Sequence, residues 1–153
     1  MIFYVPGEPK GKGRPRFGKG QTYTPEATVS YEQYVKYCFA EAAEDAGYET
    51  AAGDVPVIVM IEAFFEPPSS WPKKKRAAAL NKEYKPTRKP DCDNIIKIIL
   101  DALNGLAYKD DKQVVYVVCA KEYAAEANVK VTICPLASPT DLGIGEKAKA
   151  VEV

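Results

Sequence analysis

Two close pairs of aspartates flank one short apolar helix in residues 89–114, which read KPDCDNIIKIILDALNGLAYKDDKQV. Residues 95–106 are mostly apolar, which predicts a helix that is buried on most of its surface. The chain is not expected to be helical before Pro90, and in an extended segment Asp91 and Asp93 point to one side. Asp93 also suits the N-cap position, where a carboxylate faces the positive end of the helix. The first aspartate pair is therefore expected to border the core.

Two further charged residues follow on the same face of this helix. Lys97 lies four residues after Asp93, and Asp101 lies one turn further. After the helix, Asp110 and Asp111 open the next apolar run. This layout can bring three or four carboxylates and one ammonium together, which is the composition of a magnesium site for phosphodiester chemistry.

Magnesium takes oxygen ligands and keeps several waters, so two or three clustered carboxylates are enough to hold it against a phosphate. The candidate ligands are Asp91, Asp93 and Asp111, with Asp110 as a fourth, through water. Lys97 could offset charge on the transition state. If Asp111 starts a strand, Gln113 shares its face and could orient a ligand or contact the phosphate.

Each of these residues also has a purely structural explanation when it is taken singly. Asp93 would serve as an N-cap, Lys97 as its i+4 partner, and the Asp110-Asp111 pair as a turn. Asp101 is predicted to be structural, because it projects from mid-helix and pairs well with Lys97. Cys92 is predicted to be incidental, because a thiolate is a poor magnesium ligand.

The composition limits the other kinds of chemistry. With 153 residues, 46% hydrophobic and 27% charged, the chain has the size and balance of one globular domain. No apolar run approaches the ~20 residues that span a bilayer, and the first residues do not form a signal peptide, so we expect a cytoplasmic protein with no membrane partner. The four cysteines show no CxxC spacing, and the absence of histidine excludes His-based triads, HNH-type nucleases and His-ligated zinc.

Charge is unevenly distributed along a chain of zero net charge. Residues 10–19 carry five basic residues and no acid, residues 73–89 carry eight basic residues against Glu83 alone, and residues 41–66 carry seven acids and no base. Segregation of this kind can give a cationic face that binds nucleic acid, although solvated faces and a flexible linker would have the same composition.

The glycine-rich loop over residues 8–21 fails as a Walker A motif. Three residues instead of four separate Gly7 from Gly11, and Gly13 stands where Ser or Thr is required, so no nucleotide cofactor is expected. The loop is either a clamp on the DNA backbone or a disordered entry loop. Its cluster of cations favours the clamp, and the residues concerned are Lys10, Lys12, Arg14 and Arg16.

Strand and helix signals alternate irregularly. Strands are predicted over residues 2–5, 55–65, 113–121 and 128–134, the last two as a hairpin around residues 122–127. Helices are predicted from Thr24-Pro25 (with Thr24 as N-cap) to Gly47, over residues 73–82, and over residues 95–106 with a stop at Asn104-Gly105. The stripe that includes Tyr31, Tyr34, Val35 and Phe39 is interpreted as core rather than as a base-stacking surface.

These elements predict one α+β domain over residues 1–136, with a small mixed sheet of three to four strands backed by helices. Residues 137–153 have little to bury and are predicted to be a disordered tail.

The 89–114 segment closely resembles the signature of the RusA family of Holliday-junction resolvases, whose pattern runs D-x-D-N-x-x-K, then D-A-L-N, then D-D-x-Q-V. The opening strand followed by a Lys/Arg-Pro-Arg loop is also similar to that family, and the resemblance covers residues 1–135. It implies a small homodimeric α+β endonuclease that needs magnesium, for which manganese is expected to substitute. Such enzymes nick two opposed strands of a four-way DNA junction symmetrically.

The resemblance also implies roles for single residues. Asp91, Asp93 and Asp111 match the family's essential acids, Asp110 matches the first acid of its Asp-Asp pair, and Lys97 matches its essential lysine. Asn94 and Gln113 fall on signature positions and are expected to support the site. The DNA contacts are predicted from the two basic stretches and not from the resemblance; they are Lys10, Lys12, Arg14, Arg16, Lys73, Lys74, Lys75, Arg76, Arg88 and Lys89.

Two other functions fit the same residues. One is a less selective magnesium nuclease that cuts flaps or replication forks. The other is a non-catalytic module that binds branched DNA, in which the acids serve only for folding. The close aspartate pairs weaken the second alternative, because like charges side by side are destabilising unless something neutralises them.

Overall fold

The computed structural model describes residues 1–18 and 20–136, with every side chain in these ranges except that of Tyr23. The predicted disorder of residues 137–153 lies outside these residues. The elements in chain order are β1 (Ile2–Pro6), β2 (Arg16–Gly18), β3 (Gln21–Tyr23), α1 (Glu26–Ala46), β4 (Val57–Phe65), α2 (Lys73–Leu80), α3 (Cys92–Leu103), a 3-10 turn (Asp111–Gln113), β5 (Val114–Tyr123) and β6 (Asn128–Pro135).

The main sheet has four strands in the order β1-β6-β4-β5. Strand β4 is parallel to β5 and antiparallel to β6, and β6 is antiparallel to β1. The predicted α+β class, with a mixed sheet backed by helices, is therefore confirmed. A second sheet of two strands, β2 and β3, includes part of the segment predicted to be one basic loop.

The predicted hairpin between β5 and β6 is wrong, because β4 lies between these two strands. In the register, Ile61 of β4 is opposite Cys119 of β5 on one side and Val131 of β6 on the other. A central position satisfies the backbone of this strongly apolar strand on both sides. The chain leaves β5 by crossing the end of β4, where the Ala124 amide donates to the Phe65 carbonyl at 2.9 Å.

The core lies on one face of the sheet. Alternate residues of β4, from Val57 to Phe65, are at most 1% exposed, as expected for a strand with one face covered. Helices α1 and α3 supply the other side of this core. Their buried residues are Thr28, Tyr31, Val35 and Phe39 from α1, and Ile95, Ile98, Ile99, Ala102 and Leu103 from α3. The interpretation of the α1 stripe as core is confirmed, except for Tyr34, which is 39% exposed.

Two helix boundaries differ from the prediction. Pro25 occupies the N-cap of α1, so Thr24 is not the cap, while Gly47 ends the helix in the left-handed conformation as predicted. Helix α3 begins at Cys92, three residues earlier than predicted, with Asp91 at the N-cap, and it ends at Leu103.

The first turn of α3 therefore contains Asp93, and the prediction of Asp93 as the N-cap is wrong. Asp91 alone has extended backbone, because it follows Pro90 while its carbonyl already accepts from the Ile95 amide at 3.1 Å. The expectation that both aspartates lie in an extended segment is also wrong. None of the helices in the described part of the chain is both long and apolar enough to cross a bilayer.

Candidate active site

A cationic groove opens at the start of α3. It has a volume of about 760 Å³. The residues that line it are Pro9, Lys10, Gly11, Lys12, Arg14, Lys89, Pro90, Asp91 and Asn94. One wall is the basic loop that follows β1, and the other is the approach to α3. The groove therefore combines four basic side chains with one of the candidate carboxylates.

Two glycines let the basic loop lie against the helices. A Cβ atom at Gly11 would come within 2.8 Å of the Pro90 Cβ and 2.9 Å of the Asn94 Cβ, so only glycine fits there. The next amide, that of Lys12, donates to the Asn94 carbonyl at 2.8 Å. On the other side, the Gly13 amide donates to the Thr28 hydroxyl of α1 at 3.2 Å. The loop is held in place by both helices, which is not the behaviour of a disordered entry loop.

The side chain of Lys12 points into the protein. Its ammonium pairs with Glu32 of α1 and lies 2.9 Å from Asp101 Oδ2 of α3. Burial lowers the pKa of Lys12, but the hydrogen bonds and charges of the two carboxylates outweigh this effect, so that its pKa is raised. Asp101 is thus paired with Lys12 and not, as expected from the helical spacing, with Lys97.

Asp91 and Asp93 are exposed at the N-terminal end of α3, where the helix dipole favours negative charge. Neither carboxylate makes an ion pair with a residue that the structure describes. Lys97 is exposed one turn further along the helix, and it likewise has no ion-pair partner in the described segments. Asp91, Asp93 and Lys97 are therefore accessible to a ligand from solvent.

Asp110 takes part in a turn, as the structural explanation of the Asp110-Asp111 pair predicted, and Gln113 has a structural role that the sequence did not reveal. Asp110 caps the 3-10 turn: its Oδ1 accepts from the Lys112 amide at 3.0 Å, and this bond, followed by the charge of Lys112, lowers the pKa of Asp110. Gln113 is 5% exposed, and its Oε1 accepts from the Asp110 amide at 3.0 Å. Its Nε2 donates to the carbonyls of Ala52 and Val55. Gln113 thus fixes the turn to the segment before β4, and its amide is fully used within the protein.

Asp111 lies beside the second half of α3. The buried Tyr108 hydroxyl donates to the Leu100 carbonyl at 3.0 Å. Burial raises the pKa of Tyr108, and the charges of Asp111 and Asp101 raise it further. Asp111 precedes β5, whereas Cys92, which lies between Asp91 and Asp93, contacts the Cys119 carbonyl in the middle of that strand.

The candidate metal ligands do not form one cluster in this structure. No three acidic or thiol side chains among residues 1–18 and 20–136 are close enough to hold one ion. Asp91 and Asp93 lie at the N-terminal end of α3, whereas Asp111 follows the C-terminal end of that helix and precedes β5. The Cys92 thiol, which lies between Asp91 and Asp93 in sequence, donates to the Cys119 carbonyl of β5 at 3.9 Å and is thus engaged within the protein.

The second basic segment divides into side chains bound within the protein and side chains exposed to solvent. The Lys75 ammonium lies 3.8 Å from the Trp71 ring centroid, and the Arg88 guanidinium is 3.2 Å from a Glu8 carboxylate oxygen and 5.2 Å from the Phe65 ring centroid. The expected DNA contacts that remain exposed and without an ion pair in the described chain are Lys10, Arg14, Arg16, Lys73, Lys74, Arg76 and Lys89.

An α+β domain with a cationic groove beside exposed carboxylates has the features of a protein that acts on the nucleic-acid backbone. The family model described as Endodeoxyribonuclease RusA matches residues 6–134. The chain therefore belongs to the RusA family of endodeoxyribonucleases, and membership implies Holliday-junction resolving activity. The chain is also 37% identical over 135 residues to the uncharacterized protein YqaN of Bacillus subtilis (strain 168), a match that covers 86% of this chain and 93% of that protein.

Proposed function

We propose that this protein is a magnesium-dependent endonuclease that resolves four-way DNA junctions by paired, symmetric nicks and acts as a homodimer. The observation that carries this proposal is the groove in which Asp91 lies among Lys10, Arg14 and Lys89. A phosphodiester held by these cations would lie beside a carboxylate that makes no ion pair with any residue in the described ranges. Manganese is expected to substitute for magnesium.

The basic side chains would hold the DNA through its phosphates. Contacts of this kind fix the register and orientation of a duplex without reading its sequence. Lys10, Arg14 and Lys89 would bind the backbone next to the scissile bond, while the exposed cations of α2 would bind a neighbouring arm. Because the loop is fixed to α1 and α3, its cations need little ordering when DNA binds.

The carboxylates fit a hard divalent cation. Magnesium is usually held by one or two carboxylates together with waters and substrate phosphate oxygens. Asp91 and Asp93 would supply this pair. For Asp111 to act as a further ligand, and Asp110 as one that acts through water, they would have to approach the pair when metal and DNA bind, because the described residues do not bring them together. When bound, the metal would activate water and stabilise negative charge on the leaving oxygen. Lys97 would offset charge on the phosphate in the transition state.

A homodimer would explain paired cuts. Two copies related by a two-fold axis present two equivalent sites, and a four-way junction has a matching pseudo-symmetry. Each copy would then cut one of two opposed strands. Sedimentation of the free protein and of its junction complex would measure the number of copies in each.

The decisive experiment compares cleavage of a labelled four-way junction, a flap and a linear duplex, each with magnesium and with a chelator. We expect symmetric nicks in the junction only, and only with metal. Asp91→Asn and Asp111→Asn should abolish cleavage while junction binding persists. The matched control is Asp45→Asn, which changes an exposed aspartate of α1 outside the groove and should cut normally.

The other outcomes identify the alternatives. Equal cutting of flap and junction would replace the resolvase proposal with a less selective nuclease. Full cleavage by both aspartate variants would overturn the assignment of the site. Tight binding without nicks in magnesium or manganese would leave a DNA-binding module.

A further inference from the structure

We infer that Lys12, Glu32 and Asp101 form a network that positions the DNA-binding loop, and that Lys12 acts through this network rather than by contacting DNA. The inference rests on the proposed function, because it concerns how the groove is built for a DNA ligand. It changes the role of Lys12 from a phosphate contact to a positioning residue. It also gives a role to two acids that lie outside the proposed catalytic set.

The network joins three separate parts of the chain. Lys12 lies in the loop after β1, Glu32 in the second turn of α1, and Asp101 in the last turns of α3. The Lys12 ammonium pairs with Glu32 and lies 2.9 Å from Asp101 Oδ2. The side chains are 20% exposed for Lys12, 18% for Glu32 and 34% for Asp101, so the charges are largely removed from water.

The backbone around Lys12 is held just as closely. Its amide donates to the Asn94 carbonyl, and the glycines on either side pack against α3 and α1. Lys12 also belongs to the lining of the groove, but its ammonium is bound by Glu32 and Asp101, which leaves Lys10 and Arg14 as the loop cations that can bind a ligand there. The ion network therefore fixes the backbone of the loop segment that carries Lys10 and Arg14.

The two acids need a cation between them. Without Lys12, Glu32 and Asp101 would be two partly buried like charges on neighbouring helices, and removing one member of such a network is more harmful than removing all of it. The ammonium is thus required by the protein itself. Its engagement with two carboxylates leaves it poorly disposed to neutralise a DNA phosphate.

Replacing either acid by its amide provides a test, because a role through charge alone and a role in positioning the loop predict opposite changes in the affinity for a junction. If the acids act only through their charge, Glu32→Gln and Asp101→Asn should strengthen junction binding, because each removes a negative charge near a DNA groove. If they position the loop, each variant should weaken binding by roughly tenfold, which corresponds to about 1.4 kcal/mol. Fluorescence anisotropy of a labelled junction, measured without divalent metal on the full-length protein, gives this sign directly.

A matched control and a double substitution complete the design. Glu44→Gln removes an exposed acid of α1 that makes no ion pair with a described residue, and it should leave binding unchanged or slightly stronger. In a Lys12→Met background, Asp101→Asn should cause no further loss, because the two residues act through one contact. Lys12→Arg, which keeps the charge, should retain most of the binding.

Folding is measured by circular dichroism on every variant. If Lys12→Met does not fold, the triple variant Lys12→Met/Glu32→Gln/Asp101→Asn removes all three charges and should fold, yet still bind the junction weakly. Tighter binding by the two single acid variants, or wild-type binding by the triple variant, would overturn the inference. Failure of the wild-type protein to bind any junction would instead overturn the proposed function.

Discussion

Replacing Gln113 by alanine should lower the free energy of unfolding by about 3 kcal/mol, because the buried amide makes three hydrogen bonds that are worth about 1 kcal/mol each. The Gln113 Oε1 accepts from the Asp110 amide at 3.0 Å, and its Nε2 donates to the Val55 carbonyl at 2.9 Å and to the Ala52 carbonyl. Alanine removes all three bonds. For a domain of this size the loss corresponds to a fall in Tm of about 10 °C.

Urea unfolding followed by circular dichroism measures this loss, with Lys112→Ala as the control. Lys112 is the exposed neighbour in the same turn, so its side chain should change stability by no more than about 0.5 kcal/mol. Gln113→Met separates the contribution of the hydrogen bonds from that of side-chain packing, because methionine keeps most of the volume but forms none of the hydrogen bonds. A loss below about 0.5 kcal/mol in both Gln113 variants would refute the claim that this amide fixes the turn.

Three further predictions concern the groove and the turn. Gly11→Ala should weaken junction binding by about tenfold, because the new Cβ would lie 2.8 Å from the Pro90 Cβ and must displace the loop; anisotropy measures this. Lys10→Ala and Arg14→Ala should each reduce the slope of log K against log salt by about 0.9, as expected for one lost phosphate contact. In the folded protein the pKa of Asp110 is lowered from its ordinary value of 3.8, so the charge of Asp110 stabilises the fold fully above pH 3.8. This stabilisation is lost as the pH falls through the lowered pKa. Asp110→Asn should therefore make the free energy of unfolding fall less steeply at acidic pH.

Clear results would contradict each of these three. Wild-type affinity in Gly11→Ala would mean that the loop does not need its close approach to α3. An unchanged salt slope in both cation variants would place the phosphates elsewhere. If the free energy of unfolding of Asp110→Asn falls as steeply at acidic pH as that of the wild-type protein, the cap does not depend on the charge of Asp110.

Local signals in the sequence predicted most of the secondary structure. The 57–65 run, the α1 stripe and the apolar residues of α3 are each strong enough to define an element, and Gly47 marks a helix end by its freedom to adopt positive φ. These features depend on residues close together in the chain, which is why a pattern reveals them.

Features set by distant residues were not predictable in the same way. The position of β4 between β5 and β6 depends on which strands pair, and a short connection favoured the wrong hairpin. The partner of Asp101 is Lys12, 89 positions away, rather than the lysine one turn along its own helix. In the same way, Gln113 falls on a signature position, but its partners at Ala52 and Val55 lie in another segment. Patterns along the chain identify chemical groups, whereas the packed fold decides which of them meet.

The pairing of β1 with β6 has a consequence for how the protein is made. The Gly7 amide, at the start of the basic loop, donates to the Ala127 carbonyl just before β6, and β6 is the only described strand that pairs with β1. Residues 128–135 must therefore be synthesised before β1 can pair in the sheet. Pairings this distant in sequence form late during folding. A nascent chain that stops short of β6 can therefore form the loop's contacts with α1 and α3, but it lacks the strand pairing that holds β1 in the sheet.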